Sequence, residues 1–227
     1  MTLLSIVVVG FTNAGKSTVV NALLQGEYTE VSCVGCTLKI FRFRLHDSAT
    51  REGMHSFKAA PSITPQVCAT TQDERDDSKG MFFPIVLEED VYEEILPSFQ
   101  MEIVDLPRSS DGDIGGTAKE FIKHHVDTIA CILVVLDVSL STDNDRLNNR
   151  KLLSRLREGL GEEERSRFIV IGNKADQLDD PGKQEAIQFM RADVELYLGS
   201  KASFVVISAK GILYYRYARE LDLASFK

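Results

Sequence analysis

"VVVGFTNAGKSTVVNALL", residues 7–24, decides the fold. A run of valines stops at Gly10, a short turn of small residues follows, and a helical pattern begins at Lys16. Within it Gly10–Ser17, "GFTNAGKS", fits G-x-x-x-x-G-K-[ST] between a predicted strand and a predicted helix, the context that motif requires. The glycines let backbone N–H groups curl around phosphate oxygens, and the helix start adds the positive end of its dipole. The residues expected against the phosphates are Gly10, Thr12, Asn13, Ala14, Gly15, Lys16, Ser17 and Thr18. Lys16 can reach the β- and γ-phosphates, and the Ser17 hydroxyl is placed to ligate Mg²⁺.

Outward from this motif, short apolar runs alternate with amphipathic segments. Strands are expected at Leu3–Val9, Leu38–Leu45, Phe99–Val104, Ile129–Leu136, Phe168–Ile171 and Phe204–Ile207. Helices are expected around Lys16–Leu24, Thr117–His125, Asn144–Glu158, Gly182–Leu198 and Ile212–Leu221. Several strands are continuous Val/Ile/Leu blocks, which suits burial on both faces. The alternation implies an α/β fold with a mostly parallel central sheet and helices on both faces. "LKIFRFRL", residues 38–45, interleaves charged with apolar residues, the pattern of an antiparallel edge strand with one solvated face. Residues 46–80 are polar, with Pro61, Pro65 and "DERDDSK", and read as a long mobile insertion in a single domain spanning 1–227.

Composition narrows the function classes. A formal net charge of −8 argues against a general nucleic-acid or anionic-membrane surface, while leaving room for one basic phosphate pocket. The longest apolar run, "IACILVVL" at 129–136, is far shorter than the roughly 18–20 residues a bilayer needs. The apolar opening lacks a basic leader and reads as a core strand, so a cytoplasmic location is expected. "CVGC" at 33–36 is a lone C-x-x-C; with Cys68 and Cys131 it reads as free thiols in a reducing compartment.

"FIVIGNKADQL", residues 168–178, carries Asn173-Lys174-x-Asp176 directly after a strand. The Asp176 carboxylate can accept hydrogen bonds from N1–H and the exocyclic amine of guanine; adenine has no such donor pair and would leave the carboxylate unpaired. The Lys174 stem can cover the base plane, and Asn173 can tie this loop to the phosphate loop. "VVISAKG" then sets Ser208-Ala209-Lys210 after the last strand, where a backbone N–H can meet guanine O6. With all three motifs at strand ends, the chain resembles a GTPase G domain, which implies the three-layer P-loop NTPase fold, bound GTP or GDP, and Mg²⁺.

In that family a threonine between the first helix and second strand closes over Mg²⁺ and the γ-phosphate; Thr37 in "SCVGCTLKIF" fits best and Thr29 is the fallback. Asp105 in "EIVDLP" ends a strand where it can hold Mg²⁺ through water. The family pattern there is D-x-x-G, whose glycine N–H meets the γ-phosphate; here the fourth residue is Arg108. Arginine reaches glycine conformations only with strain. Either Arg108 points to solvent and the loop couples more loosely to nucleotide, or its guanidinium supplies charge as an arginine finger does.

"VVVGFTNAGKSTVVNALLQGEY", Thr37, "EIVDLP", "VDTIACILVVLDVSLSTDNDRL" and "IVIGNKADQLDD" together resemble the dynamin superfamily, especially bacterial dynamin-like, membrane-remodelling GTPases. The resemblance runs from Ser5 to Leu213 and weakens through 46–98. It implies GTP hydrolysis with Lys16, Ser17, Thr37 and Asp105 as the catalytic and metal-side residues, and dimerisation across the nucleotide face. The chain departs from dynamins at Thr12-Asn13, where Gln-Ser is usual, so slow intrinsic turnover is expected. Asn13 is similar instead to the N-x-G-K-S of Era-like, potassium-activated GTPases, implying K⁺ near the phosphates; the alternative is an asparagine bonded within its own loop. No helical stalk follows the G domain, so membrane association is expected through a partner or a missing stalk. Competing expectations are a GTP-binding recruitment module with little hydrolysis and a small-molecule kinase sharing only the phosphate loop. N-K-x-D and S-A-K argue against the kinase.

Overall fold

The computed structural model describes residues 3–11, 13–24, 40–46, 81–86, 100–107, 115–139, 142–158, 160–177 and 181–215. Among the described residues seven strands form one sheet: β1 (Leu3–Gly10), β2 (Phe41–His46), β3 (Met81–Val86), β4 (Gln100–Asp105), β5 (Ile129–Asp137), β6 (Phe168–Asn173) and β7 (Ser203–Val206). Their spatial order is β3-β2-β4-β1-β5-β6-β7. All neighbouring pairs are parallel except β2 with β4. The helices are α1 (Lys16–Leu24), α2 (Gly116–His125), α3 (Asp143–Arg157), α4 (Glu162–Arg165) and α5 (Pro181–Leu198). Residues 209–215 are also helical.

The period of two along the central strands explains why their sequences look uniformly apolar. On β1, Val7 and Val9 enter one core, with Ile122, Leu152, Leu156 and Val194 from α2, α3 and α5. Val8 points the other way, into a second core with Val19, Val20 and Leu24 of α1 and Ala209. β5 repeats the division, with Ile132, Val134 and Leu136 on the first face and Leu133 and Val135 on the second. A strand buried on both sides needs no polar alternation. The result is the expected three-layer α/β arrangement.

β2 is antiparallel to β4, as the alternating "LKIFRFRL" led us to expect. It does not occupy the edge, however, because β3 pairs outside it. "MFFPIV" gave no clear strand signal because Pro84 interrupts it; an outermost strand tolerates proline, whose missing N–H can face away from the sheet. The charged face of β2 also has a partner. Buried Glu102 of β4 accepts hydrogen bonds from Arg42 Nη1 (3.1 Å) and Ser5 Oγ (2.8 Å), and the Arg42 guanidinium lies 5.4 Å from the Phe121 ring centroid. This buried cluster joins β1, β4 and β2, and breaking one member would leave a charge uncompensated.

On this same face of the sheet, α3 begins with a reciprocal capping box between Thr142 and Asp145 and is tied to α5 by the Arg150 Nε–H, which both Asp193 carboxylate oxygens accept (3.0 and 2.9 Å). Among the described residues no helix is long and apolar enough to cross a membrane, and no metal-ligand cluster occurs. Cys131 is half-buried against the core, and burial raises its thiol to about 11. Cys33, Cys36, Cys68 and the 46–80 insertion lie outside the described residues.

Candidate functional site

The site forms where the parallel strands end. β1 delivers the chain into the 10–17 loop and straight into α1. Among the described residues of that loop, Asn13 (φ 60) and Gly15 (φ 90) are left-handed. Glycine is required at 15 for a second reason: a Cβ there would run into the Asn173 amide. Ala14 is buried, Asn13 is exposed, and Lys16 is buried with its ammonium donating to the Phe11 carbonyl at 3.2 Å. Ser17 and Thr18 occupy the first turn of α1, half-buried.

Asp105 ends β4, next to β1. It is 1% exposed, and among the described residues neither carboxylate oxygen has a hydrogen-bond partner. Burial raises its pKa to about 6, against the opposing pull of the Lys16 charge. A buried carboxylate with unclaimed oxygens beside a phosphate-type loop is suited to a hard cation, and Ser17 supplies an oxygen donor of the same class. The residues therefore fit Mg²⁺.

On the other side of β1, the end of β6 carries Asn173. Its Nδ2 donates to the Ala14 carbonyl (3.0 Å), and its Oδ1 accepts from the Ala209 N–H (3.0 Å). One buried side chain thus joins the phosphate loop, the N-K-x-D loop and the S-A-K loop across 159 residues of sequence. Asp176 is exposed in a short 3-10 turn, Ala175–Gln177, and Ser208 Oγ donates to its Oδ1 at 2.7 Å. Ser208 also accepts from the Gly211 N–H (2.9 Å), which caps the helical turn that follows. Lys210 is exposed, its ammonium 5.4 Å from the Tyr214 ring.

Most sequence-predicted residues therefore gather at one edge: Gly10, Asn13, Ala14, Gly15, Lys16, Ser17, Thr18, Asp105, Asn173, Lys174, Asp176, Ser208, Ala209 and Lys210. Thr12, Thr29, Thr37 and Arg108 lie outside the described residues. One residue escaped sequence reasoning. Asp137, at the end of β5, forms an ion pair with Lys174 and is buried at 4% exposure. The only hint was a charged residue closing the apolar run 129–136.

The model of the dynamin family matches residues 6–175. Among curated proteins none matches the chain by sequence. Of solved structures, a bacterial dynamin from an oligomerised pair that senses and tethers membranes is similar at 16% identity and a TM-score of 0.56, covering 94% of this chain and 34% of that one. Toc33 from Arabidopsis thaliana, in complex with Mg²⁺ and GMPPNP, is similar at 15% identity and a TM-score of 0.51, covering 92% and 72%. A chloroplast translocon component for whose GTPase activity dimerization is important is similar at 14% identity and a TM-score of 0.55, covering 92% and 71%. At such identities the likeness is one of fold, and this chain spans about a third of the bacterial dynamin's length. The family match runs from β1 into the N-K-x-D loop, the span that the tertiary structure folds back on itself through Asn173, and the chain belongs to the dynamin family, with the fold of a P-loop GTPase G domain.

Proposed function

We propose that this chain binds GTP and hydrolyses it to GDP and phosphate. The observation that carries the reading is the double hydrogen bond of Asn173, which sets a phosphate-binding loop and a guanine-reading loop at a fixed separation. A nucleotide lying along this edge would meet Lys16 at its terminal phosphates and Asp176 at its base. The bacterial dynamin likeness and the Toc33 complex with Mg²⁺ and GMPPNP support the same assignment.

The Asp176 carboxylate receives N1–H and the exocyclic amine of guanine, oriented by Ser208. The Ala209 N–H is committed to Asn173, so the contact to guanine O6 falls to the first-turn N–H of Lys210. Lys16 exchanges the Phe11 carbonyl for phosphate oxygens and neutralises charge that grows in the transition state. Ser17 and Asp105, with Thr37, hold Mg²⁺, which when bound supplies further charge neutralisation at the phosphates. Catalysis on this reading is positioning plus electrostatics, and intrinsic turnover is slow. A homodimer across the nucleotide face is the proposed accelerator, in line with the dimerising translocon GTPase. Work at a membrane, from the cytoplasmic side, is proposed on the bacterial dynamin likeness. Asn13, exposed at the loop, is the proposed K⁺-responsive residue.

The deciding experiment is phosphate release from GTP against protein concentration, in potassium and in sodium, beside Lys16→Ala. Turnover that rises with protein concentration and vanishes in the variant supports the reading; release equal to the variant's overturns it. Arg108 in place of the family glycine favours a second reading, tight GTP binding with little hydrolysis. Under that reading Arg108→Gly speeds turnover; slower turnover marks the arginine as a helper.

A further inference from the structure

We infer that Asp137 is a positioning residue of the base-binding loop: by tethering the Lys174 ammonium it holds the lysine stem as the platform on which the purine of a bound nucleotide lies. This rests on the guanine-nucleotide reading above and adds to it a residue outside the phosphate-loop, N-K-x-D and S-A-K signatures.

The argument begins with register. β5 and β6 run parallel with Asp137 directly beside Asn173, so the carboxylate stands next to the first residue of N-K-x-D. The two strand ends are stitched together where they leave the sheet, the Val138 N–H donating to the Asn173 carbonyl at 3.0 Å. Gly172 makes room for this crossing, since a Cβ there would come within 2.7 Å of Val138 Cγ1.

Asp137 itself is held firmly. Its Oδ1 accepts from both the N–H (2.9 Å) and the Oγ (2.6 Å) of Ser139, which leaves Oδ2 aimed at the Lys174 Nζ. Lys174 has a left-handed backbone (φ 69), a conformation that a residue with a side chain adopts only when its surroundings hold it there. The ion pair with a nearly water-free carboxylate supplies such a hold. With its charge drawn back onto the sheet, Lys174 offers its methylene stem to a flat ligand read by Asp176 two residues on. A free ammonium would instead swing into water and leave the base uncovered. The tether acts on the plane of the base and not on its hydrogen-bonding edge, so it strengthens purine binding without choosing between purines.

The test is a double-mutant cycle on binding of a ribose-labelled fluorescent GDP, with Asp137→Asn, Lys174→Met and the double variant. Unlabelled GDP, IDP and inorganic tripolyphosphate serve as competitors, and the melting temperature of each variant is recorded. Asp137→Asn is expected to weaken GDP and IDP by the same factor, about tenfold, and to leave tripolyphosphate unchanged. Both single changes cut the same tether, so the double variant loses no more than either one. Equal weakening of tripolyphosphate, losses that simply multiply, or an Asp137→Asn protein that binds GDP like the wild type would each overturn the inference. If Asp137→Asn does not fold, Ser139→Ala carries the same cycle, expected to cost about threefold alone and nothing further in Lys174→Met; a loss that persists there overturns the inference. A wild-type chain that binds no GDP removes the underlying reading as well. Wild-type GDP binding that Asp176→Asn shifts to xanthosine diphosphate, while Asp137→Asn is silent, removes this inference alone.

Discussion

Two aspartates close the strands that flank β1, and they are in opposite electrostatic conditions. Asp105 ends β4 on one side of the phosphate loop, and Asp137 ends β5 on the other. Both are almost wholly buried. Asp137 has a lysine and two Ser139 donors; Asp105 has no hydrogen-bond partner among the described residues, and its pKa is raised to about 6. Burying a carboxylate without compensation costs stability, a cost that Mg²⁺ would offset at Asp105 on the proposed reading. Among the described residues one edge of the site thus carries a direct ion pair, and on the proposed reading the other receives Mg²⁺.

The most severe way to break this contrast is Lys16→Ala. It removes a cation that acts on Asp105 and that, on the proposed reading, faces the phosphates. GTP turnover should fall by at least about 100-fold, read as phosphate release. Unchanged turnover would mean that the phosphate side is not where we put it.

Asp176→Asn probes the opposite side with an effect of similar order. GTP affinity should drop by about 100-fold while xanthosine triphosphate gains, since the exchanged donor and acceptor match the altered base. Competition binding measures both, and a parallel loss of the two nucleotides would contradict the base reader.

Paired substitutions at the two aspartates sharpen the comparison, because their effects on metal-free, nucleotide-free stability should have opposite signs. The folded-state pKa of Asp105 stands at about 6, above its ordinary 3.8. Between those values the folded chain keeps a proton that the unfolded chain has released, so stability falls as pH rises through that window and levels off above it. Asp105→Asn should abolish this slope and add about 1–3 kcal/mol at pH 7.5, with no gain below pH 4. Asp137→Asn should cost about 1–2 kcal/mol at the same pH, because it strands Lys174. Urea unfolding in chelator at pH 4, 5 and 7.5 reads both; two changes of the same sign would erase the distinction.

The smallest expected effect is that of Ser208→Ala. It removes the hydroxyl that orients Asp176, and GTP affinity should fall by about three- to tenfold with the preference over xanthosine triphosphate intact. A titration of labelled GTP is sufficient to see it.

Much of this arrangement was legible in the chain itself. The phosphate loop, N-K-x-D and S-A-K are local signatures, each set by a strand end and a turn within a few residues, and Asn173 and Asp176 were found from them. The valine and isoleucine blocks announced strands covered on both faces, because only such strands dispense with polar alternation. The outer strand β3 was hidden by Pro84, whose effect depends on whether a neighbour pairs with it. Likewise Arg42 was expected on a solvated face, until β4 brought Glu102 beside it over Ser5.

The sequence by itself thus determined which residue types line the edge and in what order the chain visits them, because those features follow from backbone reach and hydrogen-bonding chemistry over a few positions. Only the tertiary structure decided which charges are answered within the chain. Asp105 and Asp137 both follow apolar runs and look alike in sequence, yet the lysine that acts on each lies 37 positions or more away. Electrostatic energy is a property of the assembled surroundings, and no local pattern encodes it.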